Sequence, residues 1–596
     1  MRKALFLLAA CVLAWVPSAQ ADPRPYLDLD FELPECSVGW STVGLSQVRH
    51  EKTLDRTVVQ SGAQSVRIRY MSPLPWSSRL TGVNMSRTFD PAEVAGKRVR
   101  LSGYIRTEGL TSPGAYASLF WTGVAPSASV VEESAAAQGT TPWTRHELEI
   151  DIPADVTRNT FGMFFYGNGT VWFDNLQVEV DGKVIHQGPA PDLGGPPPGH
   201  GNWLRSRVIP FDTPVAGSGF ADLQPLKPVI GDARIVSLGE ATHGTREFFQ
   251  MKHRLLEFLV EERGFTHFSI EAGVPEAARI NDYVLTGEGD PGELLEGLRY
   301  VPWKTQEVLD LILWMRAYNA SGRGPVQFTG FDMQIASGAA ENLRAFLAQA
   351  EPAYLAQAES VFTRMIAIDA LHRARATAAD SALAQGFFDH LSANRGAYLA
   401  AGLSAEKVDW AIQNARVLVQ LAELWVTAAT NPSAASAVRD LRMADNVQWI
   451  LDHAPSGSKI VLWAHNGHVR KAPGLMGHHL DQRYGEDMYV LGLTFGEGSY
   501  NANSPFGWGV IPHEAAVTAP NSLESLLADT GIPRFIVDLG SLGADGPARW
   551  FHETRRMREH GATAHRCSLW PTVAALEYDG LIWFDQTTPS VRLSLD

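Results

Sequence analysis

Beyond residue 202 the chain is a series of short apolar runs separated by helical patterns, and that alternation leaves few architectures open. The runs fall at 234–238, 266–270, 326–331, 459–464, 488–495 and 534–538. Short strands joined through helices pair in a mostly parallel sheet with helices on both faces. Polar residues that follow such strands collect at one edge of the sheet. Ile235-Val236-Ser237-Leu238 delivers Gly239-Glu240-Ala241-Thr242-His243-Gly244, Phe268-Ser269-Ile270 runs into Glu271, and Ile460-Val461-Leu462-Trp463 runs into His465, Asn466 and His468. These three strand ends are expected to share one site. Residues 337–453, rich in Ala and Leu with little strand signal, predict a helical insertion that serves as a lid.

A chain of 596 residues, 45% of them hydrophobic, can bury more than one core. The segment 187–201 contains Gly194-Gly195-Pro196-Pro197-Pro198-Gly199, too rich in Pro and Gly for a regular element, and is expected to be a linker. On its N-terminal side, Ser65 to Tyr70, Val99 to Arg106 and His146 to Ile152 alternate apolar with polar, the period of half-buried strands. The expected organisation is multidomain: an all-β jelly-roll sandwich at 22–186, the linker at 187–201, and an α/β domain at 202–596.

The first 21 residues have the form of an export signal. Arg2-Lys3 precedes an apolar stretch from Ala4 to Val16, and Ala19 and Ala21 suit cleavage before Asp22. Leu8-Ala9-Ala10-Cys11 also resembles a lipobox, which would leave Cys11 lipidated. Either reading places the mature chain outside the cytoplasm, periplasmic or extracellular, with no further stretch long enough to span a bilayer. Cys36 and Cys567 then remain, as two buried thiols or one long-range disulfide. A formal net charge of −15 without a basic stripe argues against nucleic acid as a partner.

The strand-end residues suit water activation. Direct attack of water on an ester needs a base near neutral pKa, which His supplies and an unperturbed carboxylate does not. Glu240 or Glu271, bonded to the imidazole, would fix its tautomer and stabilise the imidazolium. His465 or His468, the Asn466 amide and the backbone N–H groups of the Gly244 and Gly467 turns could stabilise an oxyanion. Taken alone, a His after a buried strand is more often a hydrogen-bonded structural group. Thr242 or Thr245 is expected to cap the following helix. In that helix Lys252 falls within the apolar stripe of Phe248, Phe249, Leu255, Leu256 and Leu259, where a long stem could snorkel to water. Lys252, Asp332, Asn466 and Trp303 are the candidates for substrate contact. A metal is the rival reading: Glu240, His243, Glu271, His465 and His468 are ligand types that suit zinc, manganese or iron. No Gly-x-Ser-x-Gly elbow follows a strand, so a serine nucleophile fits poorly.

Two resemblances add to this. The segment from Tyr26 to Ile185 resembles carbohydrate-binding modules and galactose-binding-like domains through Leu29-Asp30-Phe31-Glu32, Ser61-Gly62-Ala63-Gln64-Ser65, Arg100-Leu101-Ser102-Gly103-Tyr104-Ile105 and Val171-Trp172-Phe173-Asp174-Asn175-Leu176. It implies a sandwich, and Trp40, Trp121, Trp143 and Trp172 are the candidates for stacking on a sugar. From Val236 onward the chain resembles the erythromycin esterase family. The resembling blocks are Gly239 to Thr245, Glu247-Phe248-Phe249 with Lys252, Ile270-Glu271-Ala272, Trp314-Met315-Arg316, Gly330-Phe331-Asp332 and Trp463-Ala464-His465-Asn466-Gly467-His468. The resemblance implies a cofactor-free hydrolase that opens an ester or macrolide lactone with activated water. By motif, His243 matches the general base, Glu240 and Glu271 the essential carboxylates, and His465 and His468 the second histidine pair. Lys252 departs from the arginine of the macrolide-inactivating members, and the two cations are not equivalent. More distant relatives with a similar opening include metal-dependent Tiki-type proteases and haem-binding lipoproteins, so a zinc-type hydrolase or a non-catalytic sugar- or haem-binding protein are the alternatives.

Overall fold

The computed structural model describes residues 28–32, 41–43, 50–71, 82–127, 130–185, 195–372, 374–503, 509–515, 518–564 and 569–593. The expected signal segment with Cys11, Trp40, Cys36, Cys567 and linker positions 187–194 lie outside the described residues. The chain divides into two compact units, residues 1–193 and 194–596.

The first unit is built from two antiparallel sheets. One runs in the order Ser41–Val43, Gly82–Phe89, Arg158–Tyr166, Tyr116–Val124, Val130–Glu133. The other runs His50–Asp55, Ser65–Tyr70, Thr170–Val180, Arg98–Leu110, Gly139–Asp151, with Lys183–Val184 beside Thr170–Val180. One core takes the inward residues of both, among them Ile68, Leu101, Phe173, Leu119, Trp121 and Phe165. The alternation expected at 65–70, 99–106 and 146–152 is therefore that of real strands. Trp121 is fully buried, stacks on Phe161 at 5.1 Å and donates from Nε1 to Asn159 Oδ1 at 3.3 Å. Trp172 is buried as well, with Nε1 donating to Asp55 Oδ2 at 2.9 Å. Both are framework rings. Trp143 is half-buried.

In the second unit the strands of the main sheet are β1 (Val208–Pro210), β2 (Ile235–Leu238), β3 (His267–Gly273), β4 (Gln327–Asp332), β5 (Ile460–Trp463), β6 (Met488–Asn503), β7 (Val510–Glu514), β8 (Arg534–Asp538) and β9 (Gly580–Thr587), and Arg555–Arg558 pairs apart with Leu569–Thr572. Their order in the sheet is β1-β8-β9-β6-β2-β5-β3-β4, with β7 paired to β6. From β9 to β4 every neighbouring pair on that path is parallel; β1/β8, β8/β9 and β6/β7 are antiparallel. Strands β1, β7 and β9 were not among the expected runs. β2, β5, β3 and β4 lie side by side and parallel, so the residues after them share one edge. Between Ile270 and Gly273 the β3/β4 register shifts. Such a bulge re-aims the side chains beside it, and Glu271 sits within it.

Two helices matter for the site. α1 (Arg246–Arg263) ends at Gly264 in the left-handed conformation, φ 71°, where the absent Cβ removes the steric cost. Thr245 occupies the position before its first turn but its side chain does not cap it. Its hydroxyl is instead bonded to Thr242 Oγ1 at 2.6 Å, and Thr242 Oγ1 accepts from Gly244 N–H at 3.2 Å. The expected cap is thus a hydroxyl pair that braces the loop. The connection from β4 to β5 carries helices and no strand among the described residues: Ser337–Ala350, Pro352–Ile368, Ala378–Ala393, Arg395–Ala400, Ala405–Thr430 and α2 (Pro432–His453). Where the linker was expected to run to 201, His200–Arg205 is a short helix, and Gly201 N–H donates to Asp529 Oδ2 at 3.0 Å. No helix of the described residues is long and apolar enough to cross a membrane.

Candidate active site

The loop after β2 is shaped by close packing. A Cβ on Gly239 would lie 2.1 Å from Asn466 Oδ1, and one on Gly244 would lie 1.9 Å from the Asn501 carbonyl. No other residue fits either position. This tight loop turns Glu240 inward, where it is fully buried. Glu240 Oε1 accepts from His243 Nδ1 at 2.6 Å. Its other oxygen accepts from Lys252 Nζ at 2.6 Å and from Trp463 Nε1 at 2.9 Å. A donor at Nδ1 fixes the tautomer of His243 with its lone pair on Nε2. His243 keeps 11% of its side chain exposed, enough to meet solvent.

Lys252 does not snorkel. It is fully buried, with Nζ 4.5 Å from the centre of the Trp463 ring. Burial pulls its pKa down to about 8 against the pull of Glu240. It is a counter-ion for Glu240, not a group that faces a substrate.

A second cluster forms around Glu271. Oε1 accepts from Arg439 Nη2 at 2.7 Å and Oε2 from His465 N–H at 3.1 Å. Burial alone would raise this carboxyl, but His468 and then Arg439 hold it well below the usual carboxylate range. Arg439 also donates from Nη2 to Asp332 Oδ2 at 2.7 Å and from Nε to Oδ1 at 3.3 Å. Despite burial, Asp332 and Glu271 hold the guanidinium well above its ordinary value. Asp332 is fully buried and fixes Arg439. His468 Nδ1 is 2.8 Å from Asp440 Oδ1; its Nε2 lies 3.0 Å from Arg439 Nη1 and 3.4 Å from Glu271 Oε1. Neutral, the ring accepts from Arg439; protonated, it donates to Glu271. Burial opposes its charge, yet Glu271 and Asp440 raise its pKa to about 10.

His465 joins the two clusters. Its ring lies 4.9 Å from that of His243, centre to centre. The Gly467 N–H lies 3.1 Å from Nδ1 and the Gly561 N–H 3.1 Å from Nε2, and a neutral ring, with a single lone pair, accepts from one of them. A doubly protonated ring would turn N–H groups toward both donors. Burial, with His243 and His468 nearby, holds His465 well below the usual histidine range. The Gly467 N–H, expected to serve an oxyanion, faces the His465 ring instead, and the Gly244 N–H is engaged by Thr242.

The Asn466 amide is also committed. Its Nδ2 donates to the Leu493 carbonyl at 2.9 Å and its Oδ1 accepts from Leu493 N–H at 3.2 Å, which ties the turn after β5 to β6. Trp303 is buried, donates to the Glu271 carbonyl at 2.9 Å and meets His243 edge-on at 5.4 Å.

Arg439 and Asp440, both from α2, and Glu559 escaped the reading of the sequence. Glu559 Oε1 is 3.7 Å from His465 Nδ1, and its Oε2 is 3.7 Å from Arg470. Burial raises its carboxyl. The helical segment expected to serve as a lid thus supplies two side chains of the site itself. The set Glu240, His243, Glu271, His465 and His468 does not converge as ligands. Among the described residues no three His, Cys, Asp or Glu side chains are placed to hold a metal ion. Each Glu carries a Lys or Arg where a cation would sit.

In sequence and in fold the chain is similar to known proteins. The family model for erythromycin esterase matches residues 260–587. This chain belongs to the erythromycin esterase family. The matched span takes in Glu271, Asp332, Arg439, Asp440, His465, His468 and Glu559, while Glu240 and His243 precede it. The chain is 26% identical to erythromycin esterase type II of Escherichia coli over 384 residues, 58% of this chain and 89% of that protein. A Bacillus cereus protein of known crystal structure is similar with a TM-score of 0.58 and 28% identity, covering 66% of this chain and 98% of that one. A family 22 carbohydrate-binding module of Clostridium thermocellum aligns over 27% of this chain and 99% of its own, with 18% identity and a TM-score of 0.20.

Proposed function

We propose that this protein is an exported hydrolase that cleaves a carboxylic ester or macrolactone with water activated by His243. The observation that carries the reading is the 2.6 Å bond from His243 Nδ1 to a fully buried Glu240. It presents Nε2 as the base. A water there gives its proton to Nε2 as its oxygen attacks the carbonyl carbon, and the tetrahedral oxyanion meets the positive charge of Arg439 and His468. Collapse breaks the C–O bond, and His243 returns the proton to the departing alkoxide. Water and ester give acid and alcohol without a covalent intermediate.

The family name makes macrolactones of the erythromycin type the first substrates to test. Lys252, bound to Glu240, tunes the base and leaves substrate choice to other residues. Export rests on Arg2-Lys3, the apolar stretch after it and Ala19-Gln20-Ala21; mass measurement of the exported protein tests it, with a mature N-terminus at Asp22 as the expected outcome. A sugar ligand of the first unit would draw on Trp143 in place of the two buried rings.

The test is incubation of the protein with macrolides and with acetylated and feruloylated sugars, followed by mass for the gain of one water. His243→Ala should lower turnover of any accepted ester at least ~100-fold with the fold intact. Unchanged turnover in that variant removes His243 from the mechanism.

A further inference from the structure

Gln250, His253 and Glu257 share one face of α1, and it is not the face that carries Lys252. With Val215, Glu307 and Asp310 they line a cavity of about 240 Å³, apart from the site described above. His253 is 7% exposed, and its Nε2, buried, has no hydrogen-bond partner among the described residues. The Glu257 carboxylate is 3.7 Å from that nitrogen, too far for a hydrogen bond. A buried ring nitrogen left unpaired costs about 1–3 kcal/mol, so a partner that enters from the cavity would be stabilising. The lining holds three carboxylates and no Lys or Arg. The cations nearby are committed: Arg254 is bonded to Asp222, and Arg246 lies 3.5 Å from Glu307 at its edge.

We infer that this cavity binds a small organic cation, an alkylammonium whose N–H groups reach His253 Nε2 and the carboxylates of Glu257 and Asp310 while its carbon chain lies along Val215. A bare metal ion fits less well, because no three of these ligand types are placed around one point. Burial raises the carboxyls of both Glu257 and Glu307, a cost that a cation in the cavity offsets. Burial also lowers His253 to about 4, so that at neutral pH its ring is uncharged and able to accept.

Calorimetric titration of the full chain with n-butylammonium, with n-butanol as the uncharged control and magnesium and zinc chlorides as metal controls, tests this. The expected result is saturable one-to-one binding of the amine alone, weakened at least ~10-fold in Glu257→Gln, as loss of a charge-assisted bond requires. Asp310→Asn, on an exposed side chain that cannot threaten the fold, should weaken it by about threefold. Absence of saturable heat with the amine, equal binding of butanol, binding unchanged in both variants, or saturable binding of either metal would each overturn the inference.

Discussion

Replacing Lys252 by Met removes the one lysine that neutralises Glu240, and the cost can be worked from the packing. Both side chains are fully buried and bonded at 2.6 Å. Breaking a buried ion pair from one side leaves a charge without its counter-ion, a loss of about 3–5 kcal/mol. The contact of Lys252 with the Trp463 ring adds about 0.5–2 kcal/mol. Glu240→Gln should cost less. The lysine left behind loses the carboxylate that holds its pKa up against burial, so it sheds its proton near neutral pH and leaves no unpaired buried charge. The double variant removes both charges and should be more stable than Lys252→Met alone, with a coupling of about 2–3 kcal/mol. Urea unfolding of the four proteins, followed by near-ultraviolet circular dichroism of the second unit, measures that coupling. A coupling below about 0.5 kcal/mol, the range of independent sites, would mean that the pair is not the energetic unit described.

His468, raised from 6.5 to about 10 by Glu271 and Asp440, contributes stability that is fully present below pH 6.5 and is lost as pH rises through about 10. Asp440→Asn should flatten that fall between pH 7 and 10 in melting temperature, and an identical slope in both proteins would remove His468 as its source. Glu559→Gln, which mimics a protonated acid beside His465, should retain activity within about threefold while Glu559→Ala loses ~10-fold or more; equal loss in both counts against a protonated Glu559. Exhaustive chelation should leave turnover unchanged, checked by metal content, and activity that stops and returns with added zinc would favour a metallohydrolase. A fragment that begins at Gly195, so that His200–Arg205 is kept, should hydrolyse a small ester with unchanged kcat; a folded but inactive fragment would assign the sandwich a part in the chemistry.

What the sequence disclosed followed from periodicity. Buried parallel strands are short apolar runs, so Glu240, Glu271 and His465 were recognisable as strand-end residues, and the parallel order brought them together. The roles were harder to read, because a polar side chain looks the same whether it faces substrate or a neighbouring strand. Asn466 was expected to contact substrate because the backbone that consumes its amide, at Leu493, belongs to a strand two positions away in the sheet. Arg439 and Asp440 were invisible for the opposite reason. They sit among Arg442 and Asp445 on a helix of the kind that carries surface ion pairs, and only the packing of α2 across the sheet edge separates these two, turned to Glu271 and His468, from the half-buried Arg442–Asp445 pair. Glu559 does follow a strand, Arg555–Arg558, but one so rich in arginine that no apolar run marks it.

The Trp463 bond to Glu240 joins residues 223 apart in sequence, and the Arg439 bond to Glu271 joins residues 168 apart. Contacts so remote require the loop entropy of the whole domain to be overcome before they form. On a ribosome the base and its carboxylate emerge together, long before the indole and guanidinium that complete the site, and partly folded chains hold these residues without the arrangement. During refolding, recovered turnover should therefore track the slowest phase of the domain, well after helical signal has returned.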